Sequence, residues 1–204
     1  MKRITVLVEG GGKGAGTKAV FKNGFNAFFR DISENARGKF NWKLQVCGSR
    51  GETYKAFHIE MADKSNTFVF LLVDSDGPVE TGPLAYLSTK AGFRNLTGAE
   101  EHHLHLMVQT MEAWIMADGA AMAGYYGQHF GQNSLPKVKN LETVAKVDLE
   151  SAFKKAIAQT SKPEYDKIHD AAALLARINP ETVQSRCPSA RRFFAEVTRA
   201  ITPA

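Results

Sequence analysis

Two aspartates, Asp74 and Asp76, end an apolar run from Phe68 to Val73, and Gly77 and Pro78 follow them. An apolar run of this length is typical of a strand that is buried on both faces. Side chains alternate along a strand, so the two carboxylates point to the same side if the strand continues through them. Two carboxylates at the end of a buried strand are costly without a cation, and their oxygens are ligands that Mg²⁺ prefers.

A third carboxylate, Glu9, ends the first apolar run, Ile4 to Val8, in the same way. The carboxyl ends of parallel strands share one edge of a sheet, and ligands of open α/β sheets bind along that edge. The sequence therefore predicts a divalent-metal site built from Glu9, Asp74 and Asp76. Glu112 follows the fourth predicted strand and is either a further ligand or an acid favoured at a helix start.

Four basic residues are candidates for contact with a phosphate. Arg50 lies just after the second predicted strand and is expected at the same edge, where a guanidinium would contact a scissile phosphate. Lys137, Lys139 and Lys167 are candidates from the later part of the chain. For each lysine the alternative interpretation is a solvated surface charge.

A glycine-rich segment, Gly10 to Lys18, follows the first predicted strand. A Walker A loop ends in lysine followed by serine or threonine, but here Thr17 precedes Lys18, so the order is reversed. A dinucleotide-binding fingerprint also requires an acidic residue after the second strand, and this chain has none at that position. The simpler interpretation is a flexible loop whose amides, with Lys13 or Lys18, contact a phosphate.

The elements that position these residues alternate between strands and helices, which predicts an α/β fold with a mainly parallel four-stranded sheet. The predicted strands are Ile4 to Val8, Trp42 to Cys47, Thr67 to Val73 and His103 to Val108. The predicted helices are Thr17 to Ile32, Glu52 to Met61, Met111 to Asp118, Leu141 to Ala158, Pro163 to Ile178 and Ser189 to Ile201. We expect an α/β domain over 1–135 and a helical C-terminal extension over 136–204 that packs on it.

The composition is that of an ordinary globular protein, with 204 residues, 44% hydrophobic and 23% charged. The net charge of +5 is compatible with a nucleic-acid partner without establishing one. No apolar stretch approaches a membrane span, and the apolar run before Glu9 is too short for a signal-peptide core, so we expect a cytoplasmic protein with no membrane partner. Cys47 and Cys187 form no metal-ligand pattern and are expected to be reduced, packed thiols.

Two motifs resemble those of the Toprim fold, the metal-binding catalytic domain of topoisomerases, bacterial primases and OLD-type nucleases. The segment from Val6 to Gly10 matches the Toprim glutamate motif, and that from Leu71 to Gly77 matches its Asp-x-Asp motif. More closely, the chain is similar to a family of small Toprim-like proteins of unassigned function, often encoded beside ATPases in bacterial defence loci. The further segments similar to that family are Cys47 to Arg50, Met111 to Trp114, Leu135 to Lys137 and Tyr165 to Lys167. The glycine insertion after Glu9 departs from the broader Toprim pattern.

The resemblance implies that Glu9, Asp74 and Asp76 are metal ligands and that Glu9 is also a general acid or base in phosphoryl transfer. It leads to the hypothesis of a Mg²⁺- or Mn²⁺-dependent nuclease, or a related phosphoryl-transfer enzyme, acting on DNA or RNA. The hypothesis assigns catalysis to Glu9, Asp74, Asp76 and Arg50, an added metal ligand to Glu112, and substrate binding to Lys13, Lys18, Lys137 and Lys167. A second hypothesis is a non-catalytic Toprim-like subunit that binds an ATPase partner. Glycosyl transfer through an Asp-x-Asp metal site is a third, and the glutamate of the first strand argues against it.

Overall fold

A four-stranded, all-parallel sheet forms the centre of the protein in the order β2-β1-β3-β4. The computed structural model describes residues 2–90, 93 and 95–202 of the chain. The strands are β1 (Lys2–Glu9), β2 (Phe40–Gly48), β3 (Asn66–Asp74) and β4 (Leu104–Met107). The predicted α/β class and four-stranded sheet are therefore confirmed.

Helices cover both faces of the sheet and make up the rest of the fold. Those of the first half are α1 (Ala15–Phe28), α2 (Arg30–Ala36), α3 (Arg50–Ala62) and α4 (Pro83–Ser88). Those after β4 are α5 (Met111–Ala117), α6 (Gly119–Tyr126), α7 (Lys146–Ile157), α8 (His169–Leu175), α9 (Pro180–Arg186) and α10 (Pro188–Ile201). Among the helices of the described residues, none has both the length and the apolar character needed to cross a membrane.

Alternate residues of β1 enter two different cores. Ile4, Val6 and Val8 pack in the larger core, which also contains the buried side chains of α1, α5 and α10. Leu7 packs in a smaller core with Phe57 of α3. Because both faces are covered, β3 reads as a continuous apolar run, whereas the edge strand β2 alternates apolar and polar residues over 40–46.

The C-terminal helices pack directly on the sheet and on α1. Arg192 of α10 donates to the carbonyl of Leu104 in β4 at 2.7 Å. The contact between α8 and α1 is close enough that a Cβ on Gly24 would lie 2.7 Å from Cα of Ala172. The predicted boundary between the α/β domain and the helical extension, near residue 135, falls in an irregular segment. The larger core contains residues from both sides of this boundary, so the division into two parts stays a prediction.

Three predicted helices differ from those observed. The one predicted over 17–32 is two helices that meet at Phe29, and the apolar stripe continues across this break because Phe29 and Ile32 are both buried. The one predicted from Pro163 begins only at His169, because the Asp166 carboxylate accepts the N–H groups of Ile168 and His169 and forms a turn there. The one predicted from 141 is a short 3-10 turn followed by α7. Helix α6 was not predicted, since its small residues form no apolar stripe.

Both thiols are free and buried, as predicted. Burial raises the pKa of Cys47 to about 11 and that of Cys187 to about 12. Thiols with such pKa values stay protonated near neutral pH, so both act as small core residues.

Candidate active site

The carboxyl ends of the four strands meet at one edge of the sheet. Glu9 lies beside Gly48 in the register of β1 and β2, and Asp74 lies beside Met107 in that of β3 and β4. Since β1 and β3 are neighbours, the sheet brings the Glu9 and Asp74 carboxylates to the same edge.

Strand β3 ends at Asp74, and the chain turns before Asp76. Asp76 has a φ of 58°, in the left-handed region, and its N–H donates to the carbonyl of Gln109 at 2.9 Å. The strand therefore does not continue through Asp76. The alternation of side chains along a strand, from which the sequence predicted that Asp74 and Asp76 point to the same side, does not apply to Asp76. Asp76 reaches the edge through this turn, and its side chain is exposed.

Arg50, the first residue of α3, connects the acidic groups of this edge. Its Nε lies 3.5 Å from Oε2 of Glu9, and its Nη2 donates to Oδ2 of Asp76 at 2.5 Å and to the carbonyl of Asp74 at 2.9 Å. A capping box between Ser49 and Glu52 fixes the start of α3 and hence the position from which Arg50 extends.

A second cation, Lys146, binds the other oxygen of Asp76. Its Nζ lies 2.6 Å from Oδ1 of Asp76, and its backbone N–H donates to Oε1 of Gln109 at 3.1 Å. Partial burial acts to raise the pKa of Asp76, but the hydrogen bonds from Lys146 and Arg50 lower it below its usual value. Asp76 is therefore a carboxylate held between two cations.

Asp74 has the opposite electrostatic environment. Burial, followed by the negative charges of Glu112 and Glu9, raises the pKa of Asp74 well above its usual value. Its Oδ1 accepts the N–H of Met111, the first residue of α5, at 2.9 Å, which only partly offsets this effect. Burial also raises the pKa of Glu9, and the Arg50 guanidinium partly offsets that shift. The surrounding residues thus compensate the charged forms of Asp74 and Glu9 incompletely.

Glu112 lies in the first turn of α5, close enough to Asp74 for its negative charge to raise the pKa of Asp74. The hydroxyl of Thr110 donates to Oε2 of Glu112, and that of Tyr165 donates to Oε1 at 3.3 Å. The side chain is therefore held in place, so the position of Glu112 suits a ligand role as well as a helix-start role.

The predicted substrate-binding lysines occupy different places. Lys18 donates to the carbonyl of Cys47 at 2.8 Å and lies 3.7 Å from Glu52, so it ties the glycine-rich loop to the end of β2. Lys13 is exposed in that loop. Lys167 lies 4.0 Å from Glu150 of α7.

Lys137 and Lys139 are exposed in the segment before α7. Arg186 fixes this segment by donating to the carbonyls of Pro136 and Val138 at 2.7 and 2.8 Å. Neither lysine forms an ion pair within the part of the chain that the structure describes. Their substrate-binding role stays a prediction, as does that of Lys13, Lys18 and Lys167.

The start of the glycine-rich loop is packed, whereas residues 12–16 are exposed. Gly10 has a φ of 126°, and its N–H donates to the carbonyl of Gly48 at 2.8 Å. A Cβ at Gly11, where φ is 79°, would lie 2.6 Å from Cγ1 of Val46. These glycines let the loop cross the end of β2 closely beside Glu9.

Lys146 is the main site residue that the sequence did not predict. It is 70 residues from Asp76 in the chain, and only the packing of α7 brings the two together. One local signal was present: a lysine as the first residue of a helix opposes the macrodipole, so a compensating anion is expected nearby.

The carboxylates of this edge are hard oxygen donors, the ligand type that Mg²⁺ and Mn²⁺ prefer. Among residues 2–90, 93 and 95–202, no group of three or more acidic, histidine or cysteine side chains could hold a metal ion, so the three-carboxylate site of Glu9, Asp74 and Asp76 stays a prediction. Mg²⁺ does not require a group of three, since proteins usually hold it by one or two carboxylates together with waters and substrate phosphates. Asp74 and Glu9 offer such carboxylates, because both are hard oxygen donors with incompletely compensated charge.

Comparisons with known proteins identify one relationship. A family model described as a domain of unknown function, DUF4276, matches residues 8–198, which include the whole candidate site from Glu9 to Tyr165. No curated protein and no solved structure matches the chain.

Proposed function

The chain belongs to the DUF4276 family, and we propose that it is a divalent-metal-dependent nuclease, or a related phosphoryl-transfer enzyme, that acts on DNA or RNA. The proposal includes a Toprim-type site, with Glu9 in the glutamate motif and Asp74 and Asp76 in the Asp-x-Asp motif. The four-stranded parallel sheet is consistent with that fold.

The observation that carries the proposal is the environment of Asp74. Its side chain is half-buried, and desolvation together with the charges of Glu112, Glu9 and Asp76 raises its pKa. Carboxylates that raise each other's pKa at a sheet edge are a common feature of sites that bind a divalent cation or catalyse proton transfer. Asp74 and Glu9 would hold the metal, with Glu112 and Asp76 as the further carboxylates of the site.

Arg50 and Lys146 support phosphoryl transfer in particular. Both cations bind Asp76, at the exposed side of the carboxylates. A phosphodiester that reached this edge would present oxygens to the guanidinium and the ammonium, in competition with Asp76. These two residues would orient the phosphate and stabilise the charge that develops on it.

A bound divalent ion would supply Lewis-acid stabilisation of the phosphate and a more acidic water. Glu9 would accept or return the proton of the attacking water or the leaving oxygen. Its raised pKa favours that role, because a general acid or base works best when its pKa approaches the operating pH.

The test is cleavage of labelled single-stranded and double-stranded DNA and RNA by the purified full chain, with Mg²⁺, with Mn²⁺ and with EDTA. Asp74→Asn keeps an oxygen for the Met111 N–H but removes the charge, and Glu9→Gln does the same at the first strand. We expect metal-dependent cleavage that falls at least about 100-fold in either variant.

Asp31→Asn is the matched control, because Asp31 is an exposed carboxylate of α2 that lines a cavity between α1, α2, α9 and α10, and none of the candidate site residues lines that cavity. It is expected to cleave at the wild-type rate. Equal residual cleavage in Asp74→Asn and Asp31→Asn would show a contaminating nuclease and would refute the proposal.

One observation favours a second function, that of a non-catalytic Toprim-like subunit which binds or regulates an ATPase partner. Arg50 and Lys146 already neutralise Asp76 without a metal, as expected of a site that has become structural. In that case Mg²⁺ and Mn²⁺ would leave every nucleic acid intact, and Asp74→Asn would bind the ATPase as the wild type does.

A further inference from the structure

A cavity of 520 Å³ adjoins the carboxylate edge and shares Glu112 with it. Its apolar walls come from Phe153 and Ile157 of α7 and from Tyr165. Cavities of this size are within the range that encloses a small organic group. The cavity therefore has room for one component of a substrate whose reacting group lies at Asp74.

Tyr165 belongs to both the cavity and the site. Its ring centroid lies 4.4 Å from that of Phe153, and its hydroxyl donates to Oε1 of Glu112 at 3.3 Å. Burial raises the pKa of Tyr165 well above its usual value, so the hydroxyl stays a donor. A flat group that enters the cavity would meet the ring of Tyr165, which Phe153 and Glu112 hold in place.

The charges around the cavity differ between wall and rim. Carboxylates of Glu112 and the half-buried Glu150 lie in its lining, where they would repel a phosphate. The exposed charged residues of the lining are Lys154, Lys167 and Glu164, and Lys167 lies 4.0 Å from Glu150, so Lys154 is the cation best placed to attract a phosphate. The arrangement suits a group with flat faces and N–H donors, joined to phosphates that remain outside.

We propose that this cavity binds an unpaired nucleobase of a single-stranded nucleic acid. The base stacks on the aromatic wall, its ring or amino N–H groups donate to the carboxylates, and its flanking phosphates contact Lys154. The inference rests on the proposed nuclease function and specifies its substrate as single-stranded or locally unpaired, because a base inside a duplex cannot enter such a cavity without being flipped out.

Binding is measured separately from cleavage, by fluorescence anisotropy of a labelled single strand and of its duplex with the full chain in EDTA. We expect the wild type to bind the single strand at least about tenfold more tightly than the duplex. Tyr165→Leu removes the ring and is expected to lose about tenfold or more in single-strand affinity. Tyr165→Phe keeps the ring and is expected to stay within about twofold of the wild type. Equal affinity of Tyr165→Leu and Tyr165→Phe would overturn the proposal.

A pair of exposed lysines tests the same cavity without risk to the core. Lys154 lines the cavity, whereas Lys155 is its exposed neighbour on α7 and does not. Lys154→Glu is expected to weaken single-strand binding severalfold while Lys155→Glu has a smaller effect, and identical losses in the two variants would overturn the proposal.

A base analogue reports the stacking directly. 2-Aminopurine in the single strand should lose fluorescence on binding to the wild type and to Tyr165→Phe, but not to Tyr165→Leu. Binding that prefers the duplex, or that leaves the 2-aminopurine signal unchanged, contradicts the proposal. Failure of the nuclease assay with intact single-strand preference supports the role of the cavity and rejects only catalysis.

Discussion

Nη2 of Arg50 lies 2.5 Å from Oδ2 of Asp76, and this contact joins the start of α3 to the turn that follows β3. The same guanidinium reaches Glu9 at the end of β1. Three successive parts of the chain therefore meet at one cation, which positions the acidic edge before any metal or substrate binds.

Two substitutions of Arg50 distinguish the effect of its positive charge from the effect of its guanidinium geometry. Arg50→Gln leaves Glu9 without its cation, so we expect a loss of about 1 kcal/mol of stability, a small value because the group is partly exposed, and a loss of about 100-fold in cleavage rate. Arg50→Lys keeps the charge but cannot span Glu9 and Asp76 together, so we expect near wild-type stability with most of the rate loss. Thermal unfolding and single-turnover cleavage measure the two effects, and a wild-type rate in Arg50→Gln would contradict the assigned role.

Asp74→Asn is expected to stabilise the metal-free protein while it abolishes activity. The variant removes a charge that burial and neighbouring carboxylates oppose, and the Asn oxygen still accepts the Met111 N–H. We expect a gain of about 1 kcal/mol at neutral pH, which corresponds to a rise of about 2–4 °C in Tm for a chain of this size. A lower Tm than that of the wild type in EDTA would show that the Asp74 charge is compensated in the folded protein.

The pH dependence of stability follows from the same shift. Folded Asp74 binds its proton more tightly than the unfolded chain does, so the free energy of unfolding falls as pH rises from the unfolded pKa of about 4 toward the raised folded pKa. Glu9 acts in the same direction. Asp76 acts oppositely: its lowered pKa contributes stability above the unfolded pKa that is lost as pH falls through the folded pKa.

Urea unfolding in EDTA across a series of pH values measures these contributions. The stability gained by Asp74→Asn over the wild type should be small near pH 4 and should grow as pH rises. A constant difference between the two proteins across the series would show that the pKa of Asp74 is the same in the folded and unfolded states.

Lys146→Ala tests the cation that the sequence did not predict. Loss of its bond to Asp76 should raise the pKa of that carboxylate and weaken phosphate binding, with an expected 10- to 100-fold loss of cleavage rate and a shallower dependence of substrate affinity on salt. Lys155→Ala, an exposed lysine on the same helix, serves as the control. Equal rates in the two variants would exclude Lys146 from the site.

Gly24→Ala tests the packing of α8 on α1. The added Cβ would lie 2.7 Å from backbone atoms of Ala172, so we expect a loss of about 1–3 kcal/mol. Gly16→Ala in the same helix meets nothing within 4 Å and is expected to stabilise the protein by up to about 1 kcal/mol. Chemical denaturation measures both, and a neutral Gly24→Ala would contradict the close contact.

Strand β3 was predictable because burial on both faces leaves a continuous apolar run, 68–73, and β2 shows the alternation of apolar and polar residues that is typical of a strand. The break at Phe29 was not, because the apolar stripe passes through it unchanged. The delayed start of α8 depends on a side-chain turn at Asp166, which the apolar pattern does not record.

The candidate site divides in a similar way. Glu9, Asp74 and Arg50 end or follow strands, so sheet geometry alone brings them to one edge. Lys146 reaches Asp76 only through the packing of α7, a tertiary contact without a local pattern. Lys18 resembled a phosphate contact in the sequence, but its ammonium binds the carbonyl of Cys47.

The central claim, that Glu9 and Asp74 hold a divalent metal, is tested most directly by soaking crystals of the full chain in Mn²⁺ and recording anomalous diffraction. We predict a peak between the Glu9 and Asp74 carboxylates that disappears in Asp74→Asn crystals soaked in the same way. The absence of a peak at that edge at saturating Mn²⁺ in the wild type would contradict the claim.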